Sequence, residues 1–80
     1  MRTDGGEGLA EVARCWAAGE RAYERMYEAR DRAELAWQTE LAVDAFREAY
    51  RLANDLGLAD EAAAILQRLV HVKAVGRQLR

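Results

Sequence analysis

An all-helical fold follows from three features of the chain. Proline is absent, β-branched residues are few, and Ala, Leu, Glu and Arg dominate, the residues that lose least on entering a helix. Apolar residues recur at spacings of three and four over long stretches, which places them on one face of a helix. No stretch alternates apolar and polar residues with a period of two, so no strand is expected. The predicted architecture is a compact three-helix bundle or helical hairpin array, with helices over about 7–29, 32–56 and 60–77. A short tail, residues 1–6, precedes the single domain of residues 7–80.

The first helix opens near Glu7, where Glu7 and Glu11 suit the positive end of the helix dipole. Its stripe is Leu9, Val12, Ala13, Trp16, Tyr23, Met26 and Tyr27. Gly19 interrupts it at a cost of about 1 kcal/mol relative to Ala, and points to a close helix crossing. A break is expected near residues 30–33. There Asp31-Arg32-Ala33-Glu34 fits a capping box, with Asp31 as N-cap and Glu34 three residues on. The alternative is one helix from 7 to 56, with a short antiparallel helix after it. At 1.5 Å per residue it would run about 75 Å, and only an oligomer could cover its apolar face.

The second helix gathers Leu41, Ala42, Ala45, Phe46, Ala49, Leu52, Ala53 and Leu56 on one side. Leu56-Gly57-Leu58 then places a glycine where a left-handed C-cap is needed, followed by an apolar residue able to fold back on the last turn. Asp60 is the expected N-cap of the third helix. That helix has Asp60 and Glu61 at its start and Lys73, Arg77 and Arg80 at its end, a charge order that matches its dipole. Ala62, Ile65, Leu66, Leu69 and Val72 form its apolar face. The connection is so short that helices two and three should lie antiparallel, with Ala49, Ala53 and Leu56 against Ala62, Leu66 and Leu69.

Small residues at Ala45, Ala49 and Ala53, the Leu56-Gly57 turn, and the run Asp60-Glu61-Ala62 with Leu66, Leu69 and Val72 give residues 42–76 a shape of their own. This segment resembles a single tetratricopeptide-type helical hairpin. The resemblance stops there, since no matching glycine turn lies one period upstream and such stacks are built from at least three repeats. It implies a hairpin of that form and, as for that family generally, protein binding.

An 80-residue chain buries only about 60% of the surface its unfolded form exposes, and small domains often recover the deficit by associating. Net charge is −2, which by itself implies neither a nucleic acid nor a membrane surface. The charge is uneven: residues 66–80 carry Arg68, Lys73, Arg77 and Arg80 with no acid. The first residues lack the apolar stretch of a signal peptide, and no apolar run approaches the length of a bilayer span. With the single Cys15, these features lead us to expect a cytoplasmic protein.

Catalytic and metal chemistry is thin. His71 is the only histidine and Cys15 the only cysteine, too few for a zinc site. Arg68 stands three before His71, so no Glu-x-x-His pair exists for a di-iron centre. A Cys15–His71 nucleophile–base pair is conceivable, but a packed thiol and a surface histidine are the simpler readings. Asp4-Gly5-Gly6-Glu7-Gly8 lacks the preceding strand and the Gly-Lys-Ser/Thr ending of a phosphate loop. Glu20, Glu24 and Glu28 alternate with Arg21 and Arg25, as on a solvated helix face. We therefore expect no catalytic residue, no cofactor and no bound metal.

What remains is the concentration of aromatic rings in the first half, a residue class favoured at interfaces. The expectation is a non-enzymatic protein–protein interaction module, self-associating or docking on a larger protein as an adaptor or a small regulatory or inhibitory subunit. Its candidate interface is Trp16, Tyr23, Met26, Tyr27, Arg30 and Trp37, with Trp16 and Tyr23 near the stripe centre and Met26 and Tyr27 at its edges. Two alternatives are a nucleic-acid-binding helical domain and an enzyme or ligand-binding bundle. The first is opposed by net acidity and by Asp60-Glu61 at the start of the only helix that follows a tight turn. The second lacks a visible polar constellation.

Overall fold

A computed structural model of the chain describes residues 4–79, which form three α-helices: α1 Asp4–Met26, α2 Arg32–Asp55 and α3 Ala59–Gln78. Helix α2 is the shared partner. Gly8 of α1 packs against Leu56 and Gly19 against Phe46, so α1 runs antiparallel to α2. Gly76 of α3 meets Thr39 of α2, so α3 is antiparallel to α2 and parallel to α1.

The break between α1 and α2 is real, and the continuous helix over 7–56 is excluded. Past Met26 the ladder tightens into i−3 bonds: Tyr27 N–H donates to Glu24 C=O, Glu28 N–H to Arg25 C=O and Ala29 N–H to Met26 C=O, at 3.2, 3.1 and 3.4 Å. Helix α1 therefore ends three residues before the expected position 29. Asp31 is extended, and its Oδ1 accepts from the Glu34 N–H at 2.8 Å. The reciprocal half of the capping box is displaced by one residue, since Glu34 Oε1 accepts from the N–H of Arg30 at 3.4 Å.

Other boundaries move as well, the ends of α2 and α3 by one residue each, to Asp55 and Gln78. Residues 1–3 of the expected tail lie outside the described residues, while 4–6 belong to α1, which begins three residues before Glu7. Helix α3 begins at Ala59 behind Leu58, and no side chain caps it. Asp60 is thus not the N-cap but sits in the first turn with Glu61, where both still favour the positive helix end.

The turn into α3 is a full Schellman motif. Gly57 has φ +74°, Leu58 N–H donates to Ala53 C=O at 2.9 Å, and Gly57 N–H donates to Asn54 C=O at 3.0 Å. This satisfies two carbonyls the helix end would otherwise strand. Leu58, half-buried, packs back on the core.

The core runs along α2: Leu35, Ala42, Phe46, Ala49 and Ala53 are buried between Val12, Ala22 and Met26 of α1 and Ala62, Ile65, Leu69, Val72 and Val75 of α3. The expected α2–α3 contact needs one correction. Leu56 and Leu66 are 39% and 42% exposed, because Leu56 turns toward Gly8 of α1 and Leu66 lies on the outer shoulder of α3. Glycine sets the α1–α2 approach: a Cβ on Gly19 would come within 2.7–2.8 Å of the Phe46 ring. Among the described residues Gln38 is the one buried polar side chain of the core, and its Oε1 has no hydrogen-bond partner there.

Candidate interaction surface

Because α1 and α3 both pack on α2, they meet each other far less closely than either meets α2, largely through side chains. Residues spaced by three or four along α1 (Leu9, Ala13, Trp16, Glu20, Tyr23, Tyr27) line one side of this seam. Glu61, Ala64, Ile65, Arg68 and His71 line the other, again at helical spacing.

The middle of the seam is polar. Arg68 Nε and Nη2 donate to Glu20 Oε2 and Oε1 at 2.6 and 2.7 Å, a fork-to-fork pair with about 30% of each side chain exposed. The same guanidinium lies 4.5 Å from the centroid of the Tyr23 ring. Bonding to Glu20 raises the Arg68 pKa further, so the group is charged at every accessible pH. Tyr23 Oη stands 2.9 Å from Tyr27 Oη and 2.9 Å from His71 Nε2. A phenol has one proton, so Tyr23 donates to one of these partners and accepts from the other. The bond to Tyr27, and then burial, push the Tyr23 phenol above its ordinary pKa.

Toward the α1 N-terminus the seam opens. A groove of about 370 Å³ is lined by Leu9, Val12, Ala13 and Trp16 of α1 and by Ala64 and Ile65 of α3, with Glu61 on its rim. Trp16 is held by an edge contact to Phe46, with centroids 5.1 Å apart and planes at 72°. A hollow at the opposite end, between Tyr27, Arg30, Arg32 and Leu79, is bounded largely by the polar α1–α2 connection.

The expected interface residues divide. Trp16 lines the groove and Tyr23 the polar seam. Tyr27, 57% exposed, and Arg30, fully out in solvent apart from a loose pair with Glu34 at 3.8 Å, sit at the far end. Met26 is the exception: at 2% exposure it is core, because it points at α2 and α3 beside Gly76 and does not lie on an edge of the stripe. Trp37 is 60% exposed but belongs to another face of α2, where Leu41 follows one turn later. Glu61, Ala64, Arg68 and His71 were not among the candidates. Their signal was present as a second stripe of α3, on the shoulder of its apolar face, but it mixes charge with small residues and has no hydropathy period.

Cys15 and His71 are not brought together. His71 meets Tyr23, eight residues and about 12 Å along α1 from Cys15, whose neighbours include Glu11, Glu48 and Arg51. Burial, and after it the nearby Glu11 and Glu48 carboxylates, raise the thiol pKa. This is the reverse of what a nucleophile needs. Among the described residues no cluster of three or more His, Cys, Asp or Glu is placed to hold a metal ion. No described helix is long and apolar enough to cross a membrane.

Compared with family models, with curated proteins and with solved structures, the chain matches none of them.

Proposed function

We propose that this chain is a non-enzymatic protein–protein interaction module whose docking surface is the seam between α1 and α3. The observation that carries the reading is the open groove: a wall of Leu9, Val12, Ala13 and Trp16 facing Ala64 and Ile65, with no side chain of the described residues filling it. Apolar side chains left beside a cleft in so small a domain are surface that a partner can remove from water, at about 25 cal/mol per Å². Tyr23, Tyr27 and Arg68 extend the groove with residue types favoured at binding hot spots. The resemblance of residues 42–76 to a tetratricopeptide-type hairpin adds support, since that family binds proteins. An adaptor and a small regulatory subunit that occludes another protein's surface use such a groove in the same way. A cytosolic setting belongs to the same reading, with a lone thiol and no disulfide to form.

The test is a photo-crosslinking amino acid placed at Ala13, in the groove, and separately at Arg47, on exposed α2, in the cell of origin. The expected result is a discrete protein adduct from position 13 that position 47 does not give. Identical smears from both positions, or no adduct from either, would overturn the reading.

A further inference from the structure

The molecule is longer than its chain length requires. Its radius of gyration is 13.6 Å, against about 11.6 Å for a compact domain of this length, and its extents are 49 × 18 × 13 Å. Such an outline has a long, broad side along which a partner of similar length can lie.

The broad side also has opposite ends that complement each other. One end is the groove, a concave apolar site with an acid, Glu61, on its rim. The other end projects Tyr27, more than half exposed, with the exposed guanidinium of Arg30, loosely paired with Glu34 at 3.8 Å, three residues beyond. Glu20 and Arg68 stand between the two ends. The separation along α1 from the middle of the groove to Tyr27 is about 20 Å, with Glu20 near the midpoint. A twofold axis lying in the face and crossing it at Glu20 therefore sets each copy's Tyr27 against the other copy's groove.

Charge selects the same orientation. The groove end of the bundle, built from the first half of α1, the last half of α2 and the start of α3, carries Glu7, Glu11, Asp44, Glu48, Asp55, Asp60 and Glu61 against Arg14, Arg47 and Arg51. The other end has basic residues in excess of acidic ones by one among the described residues. A parallel pairing would stack the two acidic ends, while an antiparallel one separates them.

We propose that the occupant of the groove is a second copy of this chain, in an antiparallel twofold dimer in which Tyr27 of each protomer enters the Leu9–Trp16–Ile65 groove of the other and Arg30 reaches Glu61 on the rim. The contact is isologous: each copy gives one anchor and one groove, and the assembly closes at two. This rests on the interaction reading above and names its partner.

The experiment is light scattering on the purified full chain across a micromolar concentration series, with circular dichroism on every variant. The wild type is expected at twice its 9.0 kDa chain mass. Ala13→Arg, whose side chain blocks the groove from an exposed position, gives a monomer with unchanged helicity. Val70→Arg, on the outer shoulder of α3, leaves the dimer intact. Arg30→Glu and Glu61→Arg each weaken dimerisation at least about tenfold, and the double reversal restores most of it. A restored dimer cannot be explained by damage to folding. A wild type that stays monomeric at the highest concentration overturns the proposal, as does a dimer that survives Ala13→Arg or one whose double reversal is no better than the singles. In the first of these cases the interaction reading still stands if the position-13 crosslink captures a different protein, and falls with the dimer if it captures nothing.

Discussion

Arg68 of α3 holds both carboxylate oxygens of Glu20 of α1, at 2.6 and 2.7 Å, across 48 residues of chain. With the Tyr23–His71 contact, this pair sets how far α1 and α3 stand apart beside the groove. At about 30% exposure of each side chain, solvent screens much of the attraction, and the pair contributes about 0.5–1 kcal/mol. Arg68→Ala is expected to lower unfolding free energy by about that amount in low salt, and by less at 1 M salt, where the Debye length is about 3 Å. Arg68→Lys keeps the charge but neither the fork nor the stack over Tyr23. In urea titrations it should lie nearer Ala than wild type.

Two glycines of α1 provide a matched comparison. Alanine at either gains about 1 kcal/mol of helix propensity. At Gly19 the new methyl meets the Phe46 ring at 2.7–2.8 Å, and that ring is fully buried with Trp16 against its edge. Overpacking of this kind costs about 1–3 kcal/mol, so Gly19→Ala should be net destabilising. At Gly8 the methyl meets the end of the Leu56 side chain, its Cδ atoms at 2.7 and 2.8 Å and its Cγ at 3.3 Å. Leu56 is 39% exposed and can swing away. Gly8→Ala should therefore be neutral or stabilising, so its melting temperature should be no lower than wild type while that of Gly19→Ala falls.

Nothing lies within 4 Å of a Cβ built on Gly57, yet its φ is +74°. The cost of replacing it is backbone strain alone. Gly57→Ala should lose about 1 kcal/mol and Gly57→Val more, while Gly57→Asn should keep most of the stability because Asn tolerates the left-handed region. Equal melting temperatures for wild type and the Val variant would contradict the turn.

Alkaline pH should weaken the fold through two acids. The Cys15 thiol is raised by burial and the Tyr23 phenol by its bond to Tyr27. Each holds its proton more tightly folded than unfolded. Their stabilisation is complete below the unfolded pKa values and is lost as pH climbs from the ordinary thiol and phenol range through the raised folded values. Cys15→Ala combined with Tyr23→Phe should flatten the fall in urea midpoint above about pH 9. A wild-type midpoint that does not fall there would contradict both shifts.

Helix number, the Gly57 turn and the Asp31 cap were legible in the sequence because each rests on local chemistry: a period of 3.6, a residue free to take positive φ, a carboxylate three residues before an amide. The α1 close approach was legible from Gly19 alone. The fate of Met26 was not. On a helical wheel it sits as near the edge as Tyr27, and only the angle at which α3 crosses decides that one is sealed and the other left in water. Leu66 failed for the same reason, being at the correct spacing but on the wrong side of a helix that has two neighbours of unequal closeness. The polar half of the seam was invisible in advance, since Glu20, Arg68 and His71 read as solvated surface until α1 and α3 are laid side by side.

The placement of α2 between its two neighbours also bears on how the chain reaches this state. Nearly every burial partnership joins helices adjacent in sequence, across connections of five residues (27–31) and three (56–58). Loop closure for either hairpin costs little entropy, and chains so rich in local contacts fold in microseconds to milliseconds. The two hairpins share α2, so either can form first. The α1–α3 links, among them Arg68–Glu20, Arg68 over the Tyr23 ring, Tyr23–His71 and Met26 beside Gly76, require both. The groove is thus the last element of the molecule to exist during folding and the first to vanish in unfolding. Amide hydrogens in the middle of α2 should exchange only on global opening, while those of the first turns of α1 exchange through local fraying.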